Sequence, residues 1–385
     1  MTRPKVWGKS LRYLWRLANR VAIAPKRVFH CATTTMFPRL SFLLVTLTPL
    51  CSALSVPKFL SKIELDPHHG ELRSQVQRPT GEPHPLVVWH GLGDSGHSEG
   101  MTKFAELIKE LHPGIFVYSV SLSDDQSADQ KAGWFGEVNA QVDIAAAELS
   151  TIPQLKNGFD AIGFSQGGQF LRAYVERYNN PPIRSLLTFG SQHMGISDLP
   201  GCKMGDFLCW LARNTALRGM YTNYAQTHLV QAQYFRDPRN AHDLQSYLTA
   251  NTFLADINAE IPDTDEKLYK KNLASLDALV LVLFSEDRTV VPKESGWFGS
   301  YKPVNLSEPD AMDEEVVIPM RQQPIYKDDR IGLRTLDEAG KIHFSTCEGA
   351  HMRITDDCWK PLVLKFCGDR RGQKTDESTS ELLIQ

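Results

Sequence analysis

The pentapeptide Gly163-Phe164-Ser165-Gln166-Gly167 restricts the fold of this chain more than any other stretch. An apolar run, Phe159 to Phe164, leads into it, and helical spacing of Phe170, Leu171 and Tyr174 follows it. Passing from strand to helix within so few residues demands a very tight turn. Only small residues two before and two after the serine leave room for it. The turn lifts the serine Oγ clear of the backbone and sets it at the positive, N-terminal end of the helix. A hydroxyl held this way still requires a base to take its proton before it can attack.

The rest of the chain supplies the sheet that such a turn belongs to. Pro85 to Trp89, Ser185 to Phe189 and Ala278 to Phe284 are continuous apolar runs rich in β-branched residues, and Ile342 to Thr346 is a weaker one. Runs of this kind suit strands buried on both faces, and the amphipathic stretches between them suit crossover helices. The pattern predicts an α/β class, the α/β-hydrolase fold, with a mostly parallel sheet flanked by helices. From Ile196 to Leu273 several helical stripes appear, among them Phe207, Trp210 and Leu211, then Leu229, Val230 and Tyr234. We read this block as a helical cap insertion over the carboxyl edge of the sheet. Extra helices packed on the fold, covering nothing, are the alternative.

If the chain order is serine, acid, histidine, the base must lie late in the sequence. Of twelve histidines only His343 and His351 fall in the last third, and His343 lies inside a strand pattern. His351 follows that strand after Glu348-Gly349-Ala350, a loop able to present an imidazole to Ser165. Asp287 ends the strongest strand pattern, where an acid shares a sheet edge with the turn. Glu286 is its neighbour and competitor, and adjacent extended residues point apart, so we assign Asp287. Backbone N–H groups of Gln166 and of Leu92, in the glycine-bearing segment His90-Gly91-Leu92-Gly93, are the expected oxyanion donors.

Charge is distributed unevenly. Residues 1–55 hold nine Lys and Arg and no acid, leaving 33 basic against 45 acidic residues in the remainder. An acidic body repels phosphates and argues against a nucleic-acid partner. The basic start reads as targeting. Residues 1–35 form a basic extension of transit-peptide character, and residues 36–55 have the layout of a secretory signal peptide, with Arg39 before the apolar run Leu40 to Leu50. That run is short for a transmembrane span, although an uncleaved anchor is the competing reading. The expected destination is the secretory pathway, either secreted or in a lysosomal or vacuolar lumen. Residues 56–368 would then form the folded domain, and residues 369–385 a polar, disordered tail. Seven cysteines include Cys202 and Cys209 around a short loop and Cys358 and Cys367 around a helix-like stretch. Two such pairs, with Cys347 left over, suit an oxidising compartment. Asn305-Leu306-Ser307 is a candidate glycosylation site.

Longer segments bear a family resemblance. Val87 to Ser95 (VVWHGLGDS), Ala161 to Tyr178, Phe189 to Cys202, Glu294 to Tyr301, Asp329 to Lys341 and Cys347 to Met352 (CEGAHM) resemble the lysosomal palmitoyl-protein thioesterases, in that family's order. The resemblance covers residues 83 to 368. It implies a Ser165–Asp287–His351 triad, oxyanion amides at Leu92 and Gln166, and a Cys202–Cys209 disulfide. It also implies hydrolysis of long-chain acyl groups from cysteines of S-palmitoylated proteins and peptides, with no metal and no organic cofactor. Vertebrate members carry vicinal cysteines where this chain has Gly96 and His97, and another of their bridges falls on Ala146 and Tyr178. Both partners of that bridge are missing together. Esters and thioesters use the same residues, so a lipase or carboxylesterase of the same fold is the enzymatic alternative. A hydrolase-fold binding protein is the non-catalytic one.

Overall fold

Period-two alternation along the apolar runs divides their side chains between two cores, one on each face of a sheet. The computed structural model describes residues 82–199, 219–305 and 316–368. The N-terminal segments, the tail, Cys202 and Cys209, and the stripe at Phe207, Trp210 and Leu211 lie outside them. Six strands, β1 (Leu86–Trp89), β2 (Val117–Ser119), β3 (Phe159–Phe164), β4 (Ile183–Phe189), β5 (Ala278–Phe284) and β8 (Ile342–Cys347), pair in the order β2-β1-β3-β4-β5-β8. Every pairing is parallel. Two short strands, β6 (Ser300–Tyr301) and β7 (Val317–Ile318), make a separate antiparallel ribbon.

On one face Val87, Trp89, Ala161, Leu186, Leu279 and Leu281 join a single core with the helices that pack there. Those helices include α3 (Val138–Thr151) and α4 (Gln166–Arg177), while α1 (Glu99–Leu111) and α2 (Gln126–Ala132) precede them in the chain. On the other face Val88, Ile162, Phe164, Leu187, Val280, Val282 and Phe284 pack with Met101 and Ile108 of α1 and with Trp359, Val363 and Phe366 of the helix that follows β8. The six large side chains of β5, all buried, represent on the order of 10–15 kcal/mol of transfer free energy before ordering entropy is counted.

Between β4 and β5 the described residues form α5 (Asn223–His228), a 3-10 segment at Val230–Tyr234, α6 (Ala241–Ala250), α7 (Leu254–Ile257) and α8 (Glu266–Ala274). Val230 and Tyr234, with Phe235 beside them, are buried in the first core, so these two residues of the predicted stripe serve packing. After β7 come α9 (Pro324–Lys327), α10 (Leu333–Glu338) and, beyond β8, α11 (Asp356–Phe366).

The structure adds one strand and changes one expected pairing. Strand β2 lies at the sheet edge, three half-buried residues long, and lacks the apolar run that marks its neighbours. Cys358 does not pair with Cys367. It is bonded to Cys347, the cysteine expected to be left over, with Cα atoms 5.2 Å apart. Helix geometry explains the correction. Nine residues along α11 rise by about 13 Å, beyond the ~4–7 Å that a disulfide spans. Cys367 is buried at the end of α11, outside this bridge.

Candidate active site

Parallel pairing places the carboxyl ends of β1, β3, β4, β5 and β8 along one sheet edge, and each predicted site residue follows one of those ends. Ser165 sits between β3 and α4 with φ 51° and ψ −122°. A non-glycine residue in that region carries roughly 1–3 kcal/mol of strain. The surroundings impose it: the Ser165 N–H donates to the Phe189 carbonyl at 2.8 Å, and the Gly168 N–H donates to the Ser165 carbonyl at 3.1 Å. A methyl group on Gly163 would overlap Gly168, and one on Gly167 would overlap the Trp89 and His90 carbonyls. Both glycines of the motif are therefore required by the close approach of backbone to backbone.

Ser165 Oγ lies 3.0 Å from His351 Nε2, and His351 Nδ1 lies 2.6 Å from Asp287 Oδ2. The other Asp287 oxygen accepts the N–H groups of Thr289 at 2.8 Å and Val290 at 3.0 Å, which fixes the carboxylate plane. The Asp287 side chain is almost wholly buried, whereas Glu286 beside it is exposed and takes no part. Its backbone does contribute, because the Glu286 N–H donates to the Gly349 carbonyl at 2.9 Å. Ser285 adds a second tie between the two loops. Its hydroxyl donates to Glu348 Oε2 at 2.7 Å and accepts the Gly349 N–H at 3.0 Å. The turn carrying Asp287 and the loop carrying His351 thus form one hydrogen-bonded unit. Phe284 meets the imidazole edge-on, 6.0 Å between centroids. His343, the rejected candidate, packs against Phe366 instead, with ring centroids 4.6 Å apart.

The two expected oxyanion donors border the same serine. A methyl on Gly91 would stand 3.2 Å from Ser165 Cβ, so the loop holding Leu92 runs directly past Ser165. Gln166 opens α4, where the first N–H groups have no partner within the helix. Its side chain, whose role the sequence does not reveal, donates to the Gly133 carbonyl at 3.3 Å and accepts the Tyr234 hydroxyl at 3.4 Å. It thereby links the elbow to the segment after α2 and to the insertion between β4 and β5. Burial pushes the Tyr234 hydroxyl above its ordinary pKa, so it remains a proton donor to that contact. Trp134 packs over Gly93, where any side chain would strike the indole 2.9 Å away. Among the described residues no group of three His, Cys, Asp or Glu side chains is placed to hold a metal ion, and no helix is long and apolar enough to cross a membrane.

A serine, histidine and aspartate in this relay occur in many unrelated hydrolases, so geometry alone leaves the family open. Residues 85–351 match the family model described as palmitoyl protein thioesterase, a span that contains the elbow and ends on His351. The chain belongs to the palmitoyl protein thioesterase family. This thioesterase-family chain is 40% identical over 271 residues to palmitoyl-protein thioesterase 1 of Caenorhabditis elegans, covering 70% of this chain and 87% of that one. It is 34% identical over 284 residues to palmitoyl-protein thioesterase 3 of Dictyostelium discoideum, covering 73% and 90%. It is 30% identical over 267 residues to the lysosomal thioesterase PPT2 of Rattus norvegicus, covering 68% and 80%. The family and the parallel sheet identify the chain as a hydrolase of the α/β-hydrolase fold.

Proposed function

We propose that this thioesterase-family chain removes long-chain acyl groups, palmitate among them, from cysteine thioesters of S-palmitoylated proteins and peptides. The observation carrying this reading is the unbroken relay Ser165 Oγ to His351 Nε2 to Asp287 Oδ2, at 3.0 and 2.6 Å, in a chain of this family. Ser165 attacks the thioester carbonyl while His351 Nε2 takes its proton. Asp287 holds the imidazole with Nδ1 protonated and stabilises the imidazolium. Amides of Leu92 and Gln166 receive the tetrahedral oxyanion. Collapse of that intermediate expels the cysteine sulfur, which takes up the proton held on His351 Nε2 to leave as the thiol and returns the imidazole to its neutral form. With a thiol pKa of about 8.5, cleavage can run ahead of that transfer. A water molecule, deprotonated by His351, then attacks the acyl-serine and releases the fatty acid and Ser165. These steps use side chains, amides and water alone.

The helical insertion serves as the cap beside which the acyl chain enters, and Tyr234, bonded to Gln166, is its point of attachment to the elbow. A lumenal location, lysosomal, vacuolar or secreted, is supported by the name of the PPT2 relative and by the Cys347–Cys358 bridge. Asn305 is exposed, as glycosylation would need.

The test compares hydrolysis of palmitoyl-CoA and of a palmitoylated peptide by the wild type and Ser165→Ala, alongside fluorophosphonate labelling. Loss of at least about 10³-fold in kcat, together with loss of label, is expected. Equal activity of the two proteins would overturn the mechanism. Equal kcat/KM on an acyl ester and its matched thioester would move the assignment to an esterase.

A further inference from the structure

Beneath the oxyanion loop lies a buried pair, Asp129 and His90, that the reaction itself does not touch. Asp129, in the first turn of α2, has no solvent exposure, and His90 is 2% exposed. One Asp129 oxygen accepts the Gly96 N–H at 2.9 Å and lies 3.4 Å from His90 Nε2. The other accepts the Leu122 N–H at 2.8 Å, just beyond β2. Burial opposes charge on this carboxyl. The nearby His90, the Leu122 N–H and the neighbouring Ser95 outweigh burial and hold its pKa well below the usual carboxylate range, so it is an anion. His90 Nδ1 is in turn 3.0 Å from the Gly91 carbonyl oxygen.

Position along the chain gives these contacts their meaning. His90 is the first residue after β1 and Gly96 stands near the end of the loop, so one carboxylate grips both ends of the segment that contains Leu92. Between the grips the Asp94 N–H closes a turn on the Gly91 carbonyl at 3.3 Å. The loop has no slack on its far side, because a methyl on Gly96 would lie 2.5 Å from the Val120 carbonyl oxygen. On its near side Gly91 abuts Ser165. A displacement of the grip is therefore transmitted to the Leu92 amide.

We infer that Asp129 and His90 are positioning residues that set the Leu92 N–H towards the oxyanion, and so govern kcat without contacting substrate. This inference rests on the thioesterase reading above. Oxyanion donors contribute about 10²–10³-fold in kcat when removed, and misplacement by about 1 Å costs up to about 10²-fold. Asp129→Asn keeps the shape of the side chain but loses its charge, and His90→Gln removes the imidazole from the other side.

The experiment measures kcat and KM on palmitoyl-CoA, affinity for palmitate, and inhibition by a palmityl trifluoromethyl ketone, whose serine adduct carries an oxyanion. Rates are normalised to the folded fraction, counted by exhaustive fluorophosphonate labelling. For both variants kcat is expected to fall roughly 10- to 100-fold. Ketone affinity should fall in parallel, while KM and palmitate affinity stay within about threefold. A kcat within twofold of the wild type for either folded variant would overturn the inference, as would a loss of ketone affinity matched by an equal loss of palmitate affinity. If Asp129→Asn does not fold, His90→Gln alone decides between these outcomes. An inactive wild type would instead refute the thioesterase reading, which keeps the two failures distinct.

Discussion

Removing the Cys347–Cys358 bridge by the double variant Cys347→Ala, Cys358→Ser should lower stability far more than activity at 25 °C. The bridge closes a ring over a separation of 11 residues, and the ring contains His351. Loop-closure entropy for a ring of that size corresponds to about 2.8 kcal/mol at 25 °C. For a folded body of this size that amounts to a fall in Tm of about 5 °C. Activity should survive because the ring has other anchors. The Glu286 N–H bonds the Gly349 carbonyl, Ser285 bonds both Glu348 and the Gly349 N–H, and Asp287 bonds His351 itself. We expect kcat on palmitoyl-CoA within about threefold of the wild type at 25 °C, with thermal inactivation several degrees earlier. The assay is a thermal melt in parallel with initial rates, with the parent bridge established by peptide mapping without reduction. Both cysteines are replaced so that no stray thiol is left to pair with Cys367. An unchanged Tm would refute the stability assignment. A loss of kcat beyond about 10²-fold with a near-normal Tm would show that the hydrogen bonds cannot hold His351 alone.

Two further outcomes follow from the same structure. Asp287→Asn should keep the bonds from Thr289 and Val290 but present an N–H to His351 Nδ1, forcing the proton onto Nε2, where it cannot accept from Ser165; kcat should fall by about 10³–10⁴-fold with little change in Tm, and a loss under tenfold would contradict the assigned relay. Burial raises the carboxyl of Glu176, against the pull of Arg172, from 4.5 to about 7. Between those values the native state holds more protons than the unfolded chain, so this group's contribution to stability is full at acidic pH and is lost as pH rises through about 7. The Tm difference between pH 5 and pH 7.5 should therefore shrink in Glu176→Gln, and a difference equal to the wild type's would remove Glu176 from the account.

Much of the site was legible because its parts obey local rules. The elbow is written in glycines whose missing Cβ atoms the backbone requires, and Asp287 and His351 follow from chain order and strand ends. Other parts depend on contacts between distant segments. Asp129, within Ser127-Ala128-Asp129-Gln130-Lys131, reads as a solvated charge on a helix, and only the fold turns it inward against His90. The amide of Gln166 was expected to act, whereas its side-chain bonds to Gly133 and Tyr234 bridge 33 and 68 residues of chain. The cysteine pairing was mistaken for a simple reason. Two ends of one helix look adjacent in sequence, while the true partner stands across a loop. Strand β2 has no sequence signature, because an edge strand of three half-buried residues carries no apolar run.

The relay joins residues 186 and 64 positions apart, and its histidine arrives only when β8, the last strand among the described residues, pairs beside β5. On the proposed mechanism, a growing polypeptide that has already completed Ser165 and Asp287 would still lack its proton acceptor. Catalytic competence would then wait until β8 has been synthesised and has docked beside β5. Regain of turnover during refolding would, on the same mechanism, report the pairing of β8 beside β5, and a cut between Asp287 and His351 that sheds the carboxyl fragment would leave Ser165 without its base.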